Sequence, residues 1–283
     1  YNPPNIPPEM FAFGTVHFAA SDVAVFGAKP RYMIVDLLFP VGSEISFVEK
    51  IQQAIVKEAD RMEISIIGGH TAAYHGLVIP ISTTTMFGYP LKEKVILPSN
   101  AKVGDKILVT KEIGLEFVVA LAYYNEERLI DILGEKKTRF YKRLYHLETV
   151  VDEALLLTEK GLVNAMHDIT EGGLATALNE FADASDLGFV VNFEDLPLND
   201  DIKAVFQELD INPLHVSSTG SLLASIDPNY IDETLRILRR KGNQAAIIGE
   251  FKMSSEGKKL IQHGRTINFP PEERDAFADF FRF

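Results

Sequence analysis

Residues 166–185, MHDITEGGLATALNEFADAS, set carboxylates and a hydroxyl directly before a pair of glycines. Asp168, Thr170 and Glu171 crowd polar oxygens onto a turn, and Gly172-Gly173 then opens a helix. Its buried face is Leu174, Ala177, Leu178 and Phe181, at three- and four-residue spacing. Free N–H groups at a helix start attract anions, and glycines let a phosphate come close to the backbone. The same residues also suit an ordinary helix start capped by Thr170. A second glycine pair, in Gly68-Gly69-His70-Thr71, follows the apolar run 64–67. Backbone there can approach phosphate and Thr71 can offer an oxygen, although a tight turn after a strand reads the same way. Asp22 stands early in a helical stretch with Val23, Val25 and Phe26. A carboxylate in such company is costly unless it is paired, metal-bound or solvated.

Taken in order, Ser21-Asp22…Gly27-Ala28-Lys29-Pro30, Ile67-Gly68-Gly69-His70-Thr71-Ala72 and the Asp168 segment resemble the aminoimidazole-ribonucleotide (AIR) synthetase superfamily. The resemblance covers nearly the whole chain. It implies an α+β fold of two domains, an N-terminal sheet domain (1–97) that binds ATP and dimerises, and a C-terminal α/β domain (98–283) that covers the cleft. It also implies transfer of the ATP γ-phosphoryl group to a carbonyl or phosphate oxygen. In that setting Asp22 holds Mg2+ against the nucleotide phosphates, and Asp168 contacts substrate or metal. Gly68, Gly69, His70, Thr71, Gly172 and Gly173 approach the nucleotide. The substrate is a small molecule or a protein terminus.

Several residues depart from the superfamily pattern. His70 stands where relatives carry Asp or Glu, and Mg2+ prefers oxygen to imidazole. The chain begins at Tyr1, which leaves little room for the acidic and glycine-rich segments expected upstream of Asp22. Residues 278–283, ADFFRF, contain no cysteine to carry a carbamoyl group. Asp168-Ile-Thr-Glu-Gly-Gly and Ser217-Ser-Thr-Gly-Ser resemble the hydrogenase-maturation branch most. A thiamine-monophosphate kinase-like enzyme and a nucleotide-binding scaffold without turnover remain the alternatives. Lys111 reads as an exposed loop lysine, and His17, His146, His215 and His263 show no partner pattern.

The elements that must position these residues are legible in outline. Pro3, Pro4, Pro7 and Pro8 predict irregular chain over 1–9, with a helix over 16–27. A strand over 32–39, a helix to about residue 61 opened by a Ser46/Glu49 capping box, and a strand over 64–67 follow. A longer strand covers 78–87, with a connector at 98–105. Beyond it come a strand from 106, a helix over 115–124 and one long amphipathic helix over 138–160. The helix after Gly173, strands at 188–193, 221–226 and 244–249, and helices near 200–208 and 230–241 complete the alternation.

Composition narrows the function classes. Of 283 residues, 46% are hydrophobic and 24% charged, as in a globular protein. A net charge of −12 disfavours nucleic acid as a partner. A phosphorylated ligand would then need a metal ion or a local basic patch. No apolar run reaches membrane-spanning length and no signal peptide is visible, so neither membrane nor export is expected. The absence of cysteine removes thiolate chemistry and fits a cytoplasmic setting.

Overall fold

A computed structural model describes residues 6–281, leaving aside the side chain of Asp279. Its first unit comprises α1 (Pro8–Val25), β1 (Ala28–Pro40), α2 (Ile45–Arg61), β2 (Ser65–Tyr74) and β3 (Ile81–Pro90). β1 is central, parallel to β2 and antiparallel to β3. Alternation along β1 sends Met33, Val35, Leu37 and Phe39 into the core beneath α1 and α2. The other face is uncovered, leaving Tyr32, Ile34, Phe87 and Tyr89 exposed on it.

The second unit comprises β4 (Lys106–Thr110), α3 (Leu115–Tyr124), α4 (Glu126–Leu133), α5 (Glu135–Tyr141), α6 (Val151–Lys160), β5 (Ala165–Ile169), α7 (Gly173–Ser185) and β6 (Leu187–Asn192). After these come α8 (Asp200–Leu209), β7 (Ser221–Ile226), α9 (Ile231–Arg240), β8 (Ala245–Met253), β9 (Lys258–Gln262), β10 (Arg265–Asn268) and α10 (Ala276–Phe280). Its sheet runs β10-β9-β6-β8-β4-β7-β5 and is mostly antiparallel, which makes the whole α+β. Leu108, Leu222, Ala224 and Met166 face α6 and the first unit, while Ile107, Val109, Leu223 and Ile169 face α7. Val16 and Ala20 of α1 share one core with Val150, Ala154 and Leu157, so the two units are in direct contact along this part of α1.

Four local expectations fail. α1 begins at Pro8 rather than near residue 16, because a proline in the first turn gives up an N–H that would be unpaired anyway. Pro3 and Pro4 lie outside the described residues. Being packed on most sides, α1 carries no apolar stripe to mark its length. The helix expected over 138–160 is broken into α5, a short turn at Tyr145–Leu147 and α6. Between them the backbone bonds elsewhere: the Val150 N–H donates to Ser21 Oγ, and the Thr149 carbonyl accepts from Lys111 Nζ. β2 runs straight through Gly68-Gly69 rather than ending before them. There Gly69 has φ 148°, and a Cβ would lie 1.9 Å from the Val35 carbonyl oxygen. The Ser46/Glu49 capping box does not form, since α2 starts behind Glu44 with no side-chain cap.

Candidate functional site

A cleft of about 790 Å3 separates the two units. One wall is a single face of α1, where Phe11, Thr15, Phe18 and Asp22 follow each other at helical spacing. β3 adds Ser82 and Thr84, and the Ser82 hydroxyl lies 2.8 Å from Thr15 Oγ1. The opposite wall is discontinuous in sequence. Asp168, Thr170 and Glu171 leave the end of β5, Glu116 comes from the first turn of α3, and Glu148 from the break before α6. The Ser217–Gly220 loop and the segment carrying Asp275, Phe277 and Phe281 close it.

Asp22 and Asp168 are thus brought to one cleft. Asp22 opens to solvent in the cleft yet is hemmed in by protein, and burial together with Asp168 raises its carboxyl to about 6. Burial raises Asp168 as well, with His167 acting in the opposite sense. The His167 ring nitrogen Nδ1 lies 3.8 Å from the Asp168 carboxylate, and Nε2 lies 3.4 Å from Glu180.

Gly172 and Gly173 adopt left-handed φ values of 77° and 67°. At Gly173 a Cβ would meet the Val216 carbonyl oxygen at 2.5 Å, so the start of α7 tolerates no side chain there. Thr170 does not cap this helix: its carbonyl accepts from the Gly173 N–H. The Gly172 N–H donates to Asp275 Oδ2 at 2.7 Å, and the other oxygen of Asp275 accepts from the N–H groups of Ser217 and Phe277. The anion at this helix start is therefore a carboxylate of the chain itself.

The second glycine segment lies elsewhere. Gly68, Gly69, His70 and Thr71 sit within β2 and do not line the cleft. His70 is in register with Asp36 on the side opposite the core, and Thr71 accepts a hydrogen bond from Gln52 of α2.

Three cleft carboxyls escaped the sequence reading. Glu116 accepts from Ser217 Oγ at 2.6 Å and from the Thr219 N–H at 2.8 Å, yet burial still raises it. Glu148 is only 4% exposed; burial and the neighbouring Glu116 raise it well above the usual carboxylate range, and its Oε1 has no hydrogen-bond partner. Asp275 is the third. The one available signal was Glu148, an acidic residue interrupting the apolar spacing from Leu144 to Val150. Lys111, expected on an exposed loop, is instead largely buried: it pairs with Glu153 and donates to the carbonyls of Thr149 and Gly220. His17 too has partners, Glu58 at 2.7 Å and Thr149 at 3.0 Å.

Residues 1–89 match the N-terminal domain of AIR synthase related proteins, and residues 102–259 match the C-terminal domain. A hydrogenase expression/formation protein of Methanocaldococcus jannaschii is 30% identical over 262 residues, covering 91% of this chain and 74% of the relative. A carbamoyl dehydratase HypE of Bradyrhizobium diazoefficiens is 28% identical, over 83% of this chain and 67% of the relative. The crystal structure of hydrogenase maturation protein HypE in complex with ATP superposes with a TM-score of 0.79 at 21% identity, covering 94% of this chain and 80% of that one. That likeness is one of fold. No described helix is long and apolar enough to cross a membrane. On both domain matches, in order and over most of its length, this chain belongs to the AIR synthase-related family.

Proposed function

We propose that this chain is an ATP- and Mg2+-dependent enzyme of the hydrogenase-maturation-like branch, activating a carbonyl or phosphate oxygen by phosphoryl transfer in the cleft. The observation that carries the reading is the Asp22–Asp168 pair: two carboxyls that line one cleft from its two walls, both raised by burial and the first also by the second. An all-oxygen pair of this kind suits Mg2+, which commonly takes one or two carboxylates and completes its shell with phosphates and water. Asp22 and Asp168 would hold the ion, which would neutralise nucleotide phosphate charge. The chain's own residues supply position and exclusion of water: Thr170, Ser217 and Thr219 offer hydroxyls, while Phe11, Phe18 and Phe281 wall the cleft. The test is Mg2+-dependent release of phosphate from ATP by the wild type and its loss in Asp22→Asn. Turnover unaffected by that substitution would overturn the assignment.

We also propose that the uncovered face of β1–β3 pairs with a second copy. Four exposed large side chains, Tyr32, Ile34, Phe87 and Tyr89, on one face of a small sheet exceed what a lone surface normally carries. Gly68–Thr71 would then lie at or beside the seam. Sedimentation should give twice the 31.5 kDa chain mass, and Phe87→Asp should halve it; a wild type that sediments as a monomer would contradict the pairing.

A second reading, a paralogue without turnover, is favoured by one observation. Asp275 already fills the anion position at the start of α7. Tight ATP binding with no phosphate release would support it.

A further inference from the structure

The cleft is lined by six carboxyl residues, Asp22, Glu116, Glu148, Asp168, Glu171 and Asp275, and among the described residues no Lys, Arg or His lines it. Two cations that adjoin lining residues are spoken for: Lys111, bonded to the Gly220 carbonyl, pairs with Glu153, and His167 lies against Glu180 and Asp168. At the inner end Glu148 is 4% exposed, and its Oε1 lacks a hydrogen-bond partner. Thr84 Oγ1, also on the cleft wall, is likewise unpartnered. A buried acceptor left in this condition is costly unless a ligand supplies the donor. The remaining wall is aromatic, with Phe11, Phe18, Tyr124, Phe277 and Phe281.

We infer that the inner end of the cleft binds an organic cation, a protonated amine or guanidine on an apolar body. Its N–H donors meet Glu148 Oε1, its positive charge takes the place of the proton that burial otherwise keeps on the Glu116–Glu148 pair, and its body lies against the rings. Charge-assisted hydrogen bonds to carboxylates and cation–π contacts both reward this combination. A bare metal ion is the poorer fit at this end, because it would leave the aromatic wall without a contact. In a phosphoryl-transfer enzyme this ligand is the second substrate, but the inference rests on the cleft alone.

The experiment uses three probes of nearly equal shape: 4-phenylbutylamine, 4-phenylbutanol and 4-phenylbutyrate. Each is titrated calorimetrically into the full chain without nucleotide, so that failure of ATP to bind leaves the result standing. The amine should bind about tenfold or more tighter than the alcohol, and the carboxylate not measurably, as expected for one charge-assisted hydrogen bond. Glu148→Gln, whose folding is checked by its melting temperature, should remove that advantage and leave alcohol binding unchanged. Glu159→Gln, at an exposed acidic position on α6, should leave the amine affinity unchanged. Equal binding of amine and alcohol would overturn the inference. So would equal losses in the two variants, which would mean only a general attraction to an acidic protein.

Discussion

Asp22→Asn should stabilise the protein while disabling it, and the gain should follow pH. Asp22 is raised from 3.8 to about 6, chiefly by burial and then by the charge of Asp168. A raised carboxyl binds its proton more tightly when folded, so stability falls as pH climbs from about 4 to about 6 and stays reduced above it. Two pKa units at about 1.4 kcal/mol each set an upper bound of about 3 kcal/mol. Asp22 opens to solvent in the cleft, and screening there brings the expected penalty nearer to about 1 kcal/mol. Asparagine keeps the shape and removes the charge, which also relieves Asp168. The assay is urea unfolding of wild type and variant at intervals from pH 4 to pH 8. The curves should nearly coincide at pH 4 and separate by about 1 kcal/mol in the variant's favour above pH 6.5. A variant less stable at pH 7.5, or an offset independent of pH, would mean that Asp22 is already compensated and has no vacancy for a cation.

Two further substitutions probe the walls of the cleft. Asp275→Ala leaves the N–H groups of Gly172 and Ser217 without their acceptor and should cost about 1–2 kcal/mol in thermal unfolding; an unchanged melting temperature would show that Asp275 does not hold the start of α7. Lys111→Met strands Glu153, whose side chain is 2% exposed, and should cost about 3 kcal/mol or more, most of it recovered by adding Glu153→Leu. A loss under 1 kcal/mol in the single variant would show that the pair contributes little.

The architecture was readable where local pattern and tertiary demand agree. In α2 the apolar residues Ile51, Ile55 and Ala59 recur at helical spacing because one face alone meets the sheet. In α7 the glycine pair and the buried stripe mark the start and face of the helix. Legibility ended where contacts distant in sequence claim the backbone. Nothing near Leu144 or Val150 announces that Ser21 and Lys111 will take the hydrogen bonds of residues 149–150 and break a helix whose side chains still keep its period. The site shows the same division. Asp22 and Asp168 stood out because each interrupts or precedes an apolar helical face. Glu116, Glu148 and Asp275 were hidden because their meaning lies in one another: they come from three separate segments and become a site only when α3, the break before α6 and the last helix converge. At Gly69 of β2 the close approach of the Val35 backbone is a further requirement for glycine that the sequence did not announce.

Calorimetric titration of ATP into the full chain, with and without Mg2+ and in wild type and Asp22→Asn, bears most directly on the role given to the acidic pair. Binding that requires Mg2+ and disappears with Asp22 is the expected result. Binding that is equal without Mg2+, or that survives Asp22→Asn unchanged, would contradict it.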